Sequence, residues 1–154
     1  MKKMVLVLTL AVFALSGSSF AQDPIYFNNI GIYLDEGAET FCAETIATGS
    51  VPAYLVLTKL SADLITGFEC KIENVGGFLV NFAARGQHVD AGSKPGEHIV
   101  GIADPGLPVI GGSCVVADMD ILILDENPIF VFIDGVYFSS LPNGAPAMIA
   151  DGVI

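Results

Sequence analysis

The stretch that decides the fold is Thr66–Glu73, TGFECKIE, in which apolar and charged side chains alternate. In an extended chain Phe68, Cys70 and Ile72 point to one face, and the charged residues between them, beginning with Glu69, point to the other. Such alternation is typical of a β-strand with one buried face and one face in water. We therefore predict a strand on the surface of a β-sheet protein.

Further segments of β-favouring residues lie on both sides of this strand, separated by Gly, Pro, Asn and Asp, which mark turns. They are Asn28–Leu34, Val51–Thr58, Gly77–Ala83, His98–Ala103, Cys114–Leu124, Ile129–Ile133 and Val136–Ser140. The last two flank Asp134-Gly135, a dipeptide that favours the type I′ turn of a hairpin. We predict a single all-β domain over residues 22–154, an antiparallel β-sandwich of about seven to nine strands. A closed barrel is the alternative arrangement.

Residues 1–21 have the layout of a secretory signal peptide. Lys2 and Lys3 precede the apolar run Met4–Leu15, and a tract of small residues ends at Ala21. The apolar run is too short for a permanent membrane-spanning helix. We therefore expect a signal helix that is cleaved after Ala21, and secretion to the periplasm or the exterior.

The composition is that of an acidic, folded protein. The 154 residues include 17 acidic and six basic side chains, and the formal net charge is −11. Such a surface repels nucleic acids, because binding to them requires a basic patch. The hydrophobic content of 53% is too high for a disordered chain. We therefore expect neither a nucleic-acid partner nor a permanent membrane span.

Three cysteines follow the predicted cleavage point, and a secreted protein encounters an oxidising environment. One disulfide and one spare thiol is the simplest expectation. A simple up-and-down order of strands puts Cys42 at the same end as Cys114. We expect the pair Cys42–Cys114, with Cys70 as the alternative partner of Cys42.

Three segments resemble strands of the cohesin-like, immunoglobulin-related sandwiches of secreted bacterial proteins. They are Pro52–Leu57 (PAYLVL), Ile65–Ile72 (ITGFECKI) and Ala117–Leu124 (ADMDILIL), and the resemblance extends over Val51–Phe138. It implies a sandwich of the immunoglobulin-like type and a role in protein–protein interaction. No residue role is transferred with it.

Catalytic patterns are weak in this chain. Ser113 lacks the Gly-x-Ser-x-Gly context of a nucleophile elbow. His88, Asp90, Glu97 and His98 lie within eleven residues, but their spacing does not match a zinc motif. Glu97 and His98 are adjacent, so they would point to opposite faces of a strand. We expect these side chains to be solvated and predict that the protein is not an enzyme.

Calcium is the most plausible ion. Asp35, Glu36 and Glu39 lie in one loop, and Asp125 and Glu126 lie in another. Calcium takes six to eight oxygen ligands, which loops at one end of a sandwich can supply. No cofactor other than this ion is expected, and solvated surface carboxylates are the alternative interpretation.

Carbohydrate binding is the alternative to protein binding. Sugars dock on exposed aromatic rings, and this chain has four Tyr and no Trp. By alternation Tyr33 and Tyr137 point outward, and they are the candidates for such a platform. A glycan site predicts an exposed Tyr pair on one face, whereas a protein site predicts an exposed aliphatic patch. We expect a non-enzymatic module with a protein partner, and a glycan partner as the alternative.

Overall fold

The computed structural model describes residues 28–44 and 48–154, and the predicted signal peptide, with its cleavage point after Ala21, lies outside them. The described residues form ten β-strands and no helix. The strands are β1 (Asn29–Tyr33), β2 (Gly49–Thr58), β3 (Leu64–Val75), β4 (Phe78–Ala84), β5 (His88–Asp90), β6 (Glu97–Ile102), β7 (Leu107–Pro108), β8 (Ser113–Ile123), β9 (Phe130–Asp134) and β10 (Ala147–Ala150). Nowhere in this part of the chain is there a helix that could cross a membrane.

The strands form two antiparallel sheets. The first sheet has the order β1-β2-β8-β4. The second sheet is built around β3, the longest strand, which has β10 and β9 along one edge. Along the other edge lie β7 and β6, with β5 beyond β6. The all-β, antiparallel architecture predicted from the alternation is therefore confirmed.

The hydrophobic core lies between the two sheets. Leu55 and Val116 from the first sheet, and Ile65 and Cys70 from the second, are fully buried and belong to one contiguous core cluster or its immediate lining. Each apolar side chain removed from water contributes about 1.5–3 kcal/mol before the entropy cost of folding is counted. Packing of the two inner faces is therefore what holds the sheets together.

The hairpin predicted at Asp134-Gly135 is wrong. After β9 the chain does not turn back, and 136–140 form no strand. Gly135 is needed for a different reason than a type I′ turn: a Cβ atom there would overlap the carbonyl oxygen of Gly144. The segment instead crosses the outer face of the second sheet, and the chain returns to β3 as β10.

The alternation predicted that the outer face of β3 is in water, but part of this face is buried. Glu73 is exposed, but Glu69 is only 7% exposed, and so is Glu97 on the neighbouring strand β6. Both carboxylates lie under the segment that replaces the predicted hairpin, from which they accept hydrogen bonds. Burial of a charged group requires such partners, because an unpaired buried carboxylate is strongly destabilising.

Candidate binding site

A half-open cleft of about 820 Å³ lies at one end of the sandwich. It exists because β3 is longer than its neighbour: β6 pairs with β3 only as far as Lys71, and Gly96 accepts one last hydrogen bond from Ile72 N–H. Beyond that point β3 continues to Val75, and side chains from both sheets line the cleft. The cleft is lined by Ile72, Glu73, Asn74, Val75, Leu79, Phe82, Pro95, Gly96, His98, Met119 and Phe132.

Three exposed apolar side chains lie at this cleft or directly beside it, and we call them the apolar rim: Val75, Phe130 and Phe132. They are 61%, 56% and 53% exposed, in that order. Val75 and Phe132 line the cleft, and Val75 faces Phe130 in the pairing of β3 with β9. Because the alternate residues of β9 pack against the core, its two phenylalanines must face outward.

His98 lies in the wall of the cleft in a fixed orientation. Its Nδ1 atom is 2.8 Å from Oδ2 of Asp90, and its ring stacks on Phe82 with 3.6 Å between centroids and 16° between planes. The other oxygen of Asp90 accepts hydrogen bonds from the backbone N–H groups of Gly92 (2.9 Å) and Ile99 (3.0 Å). Every part of this pair is therefore held by strands β5 and β6 and the loop between them.

Hydrogen bonding keeps Asp90 ionised. Partial burial acts to raise the pKa of Asp90, but the hydrogen bonds from His98 and from the backbone of Gly92 and Ile99 outweigh it. The pKa of Asp90 is accordingly lowered from its ordinary value. An ionised carboxylate can only accept hydrogen bonds, so it orients the His98 ring.

Cys70 is the residue opposite His98 across β3 and β6, which gives the superficial appearance of a Cys–His–Asp site. A nucleophilic thiol needs a lowered pKa and access to substrate. Cys70 has neither: it is fully buried, and burial, followed by the charges of Asp90 and Glu69, raises its pKa to about 12. The thiol therefore packs as a small apolar side chain.

A second exposed feature is the segment 137–140, which we call the anchored loop. The backbone N–H of Tyr137 donates to Glu97 (2.7 Å), and that of Ser140 donates to Glu69 (2.6 Å). The hydroxyl of Ser140 also donates to Glu69, and the single hydrogen of the Ser139 hydroxyl is shared between Glu69 and the carbonyl oxygen of Ala145. Two buried carboxylates thus fix a loop that forms no regular secondary structure.

The anchored loop presents two aromatic rings to solvent. Tyr137 is 68% exposed and Phe138 is 82% exposed, and their rings meet edge to face at 4.6 Å. The ammonium of Lys94 lies 3.3 Å from the centre of the Tyr137 ring, in a cation–π contact. Tyr137 is therefore at the surface, as the sequence indicated. The aromatic ring that packs against it is that of Phe138 and not that of Tyr33.

The structure does not bring Tyr33 and Tyr137 together. Tyr33 is on β1 of the first sheet, only partly exposed and opposite Tyr54, whereas Tyr137 belongs to the loop over the second sheet. Arg85 lies 6.0 Å from the centre of the Tyr54 ring. The predicted tyrosine platform is therefore not formed by these two residues.

Three of the five predicted calcium residues, Asp35, Glu36 and Asp125, have hydrogen-bond or ion-pair partners within the described part of the chain. Asp35 accepts hydrogen bonds from the backbone of its own loop, chiefly from Glu39 N–H, which lowers the pKa of Asp35. Glu36 pairs with Arg85, which also forms two hydrogen bonds with Asp118.

In the second acidic loop, Asp125 accepts a hydrogen bond from the backbone N–H of Asn127. The other predicted calcium residue of this loop, Glu126, lies between these two in the sequence. Within 28–44 and 48–154 no three or more His, Cys, Asp or Glu side chains converge on a metal position. Calcium binding by either acidic loop stays a prediction.

All three cysteines are free thiols in the structure. Cys42 is exposed, and Cys70 and Cys114 are buried in the core. Burial also raises the pKa of Cys114 to about 11, against the opposing effect of Arg85. The predicted pairing of Cys42 with Cys114 therefore stays a prediction for the oxidised protein.

Sequence reasoning placed Asp90 and His98 in one segment but missed their pairing, and it missed Glu69 and Glu97 as anchors. A usable signal exists for the first: Asp90 and His98 flank a short Gly-containing loop, as in a hairpin. A search of protein-family models, of curated proteins and of solved structures finds no match to this chain. Functional inference therefore rests on the geometry of the cleft, the apolar rim and the anchored loop.

Proposed function

We propose that this protein is a secreted, non-enzymatic binding module that takes a protein partner at the cleft and the apolar rim. The observation that carries the proposal is the rim itself: three large apolar side chains, each more than half exposed, at a cleft of about 820 Å³. Exposed apolar clusters around a concavity are typical of interaction sites. We also propose that the sandwich is of the cohesin-like, immunoglobulin-related type.

The chemistry of the rim suits a protein partner. Phe is enriched at the centres of protein interfaces, where a few buried aromatic side chains contribute most of the binding free energy. Phe130 and Phe132 lie on a strand whose alternate side chains, Val131 and Ile133, pack against the core. They are therefore presented on a rigid support, and little conformational entropy is lost when a partner covers them.

Charge defines the partner further. The chain has 17 acidic and six basic side chains, and Glu73 lies in the cleft lining between the rim residues. A second copy of the same acidic chain would be repelled, whereas a basic partner would be attracted over a long range. We therefore assign the site to a different protein that presents an apolar side chain flanked by Lys or Arg.

The test is a selection of displayed random peptides on the purified domain, with affinities of the selected peptides measured by calorimetry. We expect apolar, basic peptides whose affinity falls at least tenfold on Phe132→Asp. Ile110→Asp is the matched control, because Ile110 is 75% exposed but does not line the cleft. Failure to enrich peptides, or equal losses in both variants, would overturn the proposal, provided that circular dichroism shows both variants folded.

A glycan partner is the second candidate, and the Tyr137–Phe138 pair favours it. Two adjacent exposed rings on an anchored loop form a surface on which a sugar ring can stack. Titration with a panel of neutral oligosaccharides tests this function. We expect perturbed Tyr137 and Phe138 ring signals in NMR spectra if the glycan function is correct, and unchanged signals at millimolar sugar would exclude it.

Export and calcium binding are tested separately. N-terminal sequencing of the protein recovered outside the cytoplasm is expected to begin at Gln22, and a retained leader would contradict export with cleavage after Ala21. If calcium binds the acidic loops, excess calcium must raise the melting temperature and a chelator must reverse the rise. An unchanged melting temperature would remove calcium from the proposal.

A further inference from the structure

We infer that His98 makes the cleft selective for an aromatic group that carries one hydrogen-bond donor, such as the indole of Trp or the phenol of Tyr. The inference rests on the proposed function in one respect: the aromatic group is taken to be a side chain of a protein partner. The site itself is defined by His98, Asp90 and the apolar wall of the cleft.

The first step concerns the proton on the imidazole. Asp90 accepts hydrogen bonds through both carboxylate oxygens, and Oδ2 is the one that contacts Nδ1 of His98. Nδ1 must therefore carry the hydrogen in this contact. In the neutral ring the lone pair is then on Nε2, so the carboxylate fixes the tautomer as well as the orientation of the ring.

Nε2 of His98 is accessible from the cleft. It has no hydrogen-bond partner among the described residues. Every buried side-chain nitrogen or oxygen in these residues does have a partner, so Nε2 is not buried. Nε2 is consequently in contact with solvent rather than enclosed, and His98 is part of the cleft lining. An open acceptor therefore stands in the wall of the cleft.

The next step concerns the surroundings of this acceptor. Phe82 covers one face of the imidazole, and Leu79 and Met119 line the same cleft, so β4 and β8 contribute apolar surface. The volume accommodates a two-ring aromatic group together with the segment that carries it. Glu73 and Asn74 line the cleft as well, from β3. An acceptor flanked by apolar side chains discriminates against ligands that leave it without a donor.

Three ionisable side chains lie near His98 on the strands that surround it. Asp90 contacts it from β5, Glu73 lines the cleft from β3, and Cys70 lies opposite it as a neutral thiol. Acidification that protonates the imidazole turns Nε2 into a donor. The preference for a donor-bearing ligand must then disappear, whereas apolar contacts with the cleft are retained.

The experiment compares indole with benzothiophene, which has nearly the same shape but no N–H group. Binding to the whole domain is followed by NMR through the signals of Leu79, Phe82 and His98. We expect indole to bind about three- to tenfold more tightly, the effect of one hydrogen bond. His98→Phe, which retains an aromatic ring against Phe82, is expected to equalise the two affinities.

The outcomes separate the two proposals. Equal affinities in the wild-type protein, binding of neither probe, or a preference that persists in His98→Phe would overturn the role of His98. If that variant does not fold, the wild-type protein at a pH where its ring nitrogen signals report protonation provides the same comparison. Binding of indole without any selected protein ligand would instead contradict the proposed function while leaving the site intact.

Discussion

Replacement of Glu69 by Ala is expected to be far more damaging than the same replacement of Glu73, four residues further along the same face of β3. Glu69 is 7% exposed and accepts hydrogen bonds from Ser140 N–H (2.6 Å), Ser140 Oγ (2.7 Å) and Ser139 Oγ (3.2 Å). Hydrogen bonds to a charged group contribute about 1.5–3 kcal/mol each, and they are not additive.

The net loss is smaller than the sum of these bonds, because removal of the carboxylate also removes its desolvation cost. We therefore expect the free energy of unfolding of Glu69→Ala to fall by about 2–4 kcal/mol. With a urea dependence of about 2 kcal/mol per molar, the unfolding midpoint falls by roughly 1–2 M. Circular dichroism at increasing urea concentrations measures this shift directly.

Glu73→Ala is the matched control, since Glu73 is exposed and its one ion-pair partner among the described residues is the partly exposed Lys71. Its unfolding midpoint is expected to stay within experimental error of the wild type, because exposed ion pairs contribute little. Hydrogen exchange at the Ser140 amide should accelerate in Glu69→Ala alone. Similar midpoints for the two variants, or unchanged exchange at Ser140, would refute the conclusion that Glu69 anchors the loop.

Three further predictions concern charge, thiols and backbone contact. The hydrogen bond from Arg85 holds the pKa of Asp118 below its ordinary value, so Arg85 contributes stability above about pH 4 that is lost as the pH falls through the folded-state pKa. Arg85→Met is expected to raise that pKa in an NMR titration and to cost about 1 kcal/mol near pH 6, with a smaller difference in acid. In the reduced native protein only Cys42 is expected to react rapidly with Ellman's reagent, because the other two thiols are buried. The same reagent applied to an unreduced, denatured sample tests the predicted disulfide, and detection of three thiols would rule it out. Gly135→Ala should displace the segment around Gly144 and lower the melting temperature, and a wild-type melting temperature would contradict their close approach.

The all-β fold was predictable because its signal is local. Thr66–Glu73 alternates regardless of its partners, and the observed strand β3 contains the whole stretch. The segment after Asp134 misled the same reasoning, since Val136 is buried and Tyr137 is exposed, as in a strand. A loop that packs over Glu97 produces that pattern too, and nothing within the segment distinguishes the two cases.

The candidate site was less predictable because it depends on contacts between distant residues. Glu69 is buried by Ser140, 71 positions away in the chain, so the local alternation wrongly assigned it to water. The cleft arises from a difference in length between β3 and β6. The residue types in these segments do not predict that difference. Asp90 and His98 were recognised as chemically interesting, but the tautomer of His98 follows only from the contact across β5 and β6.

Buried and partly buried carboxylates fix the geometry of the surface features of this molecule. Apolar residues often stabilise a core as well as buried charges do, so a carboxylate that is buried and fully bonded serves to fix geometry. Glu69 and Glu97 fix the loop that presents Tyr137, and Asp90 fixes the ring of His98. Each of these carboxylates is occupied by N–H donors, which leaves the Nε2 acceptor of His98 facing the cleft. Nε2 of His98 lies beside the apolar side chains of Phe82, Leu79 and Met119, so the site we propose discriminates between ligands of similar shape by their donor groups.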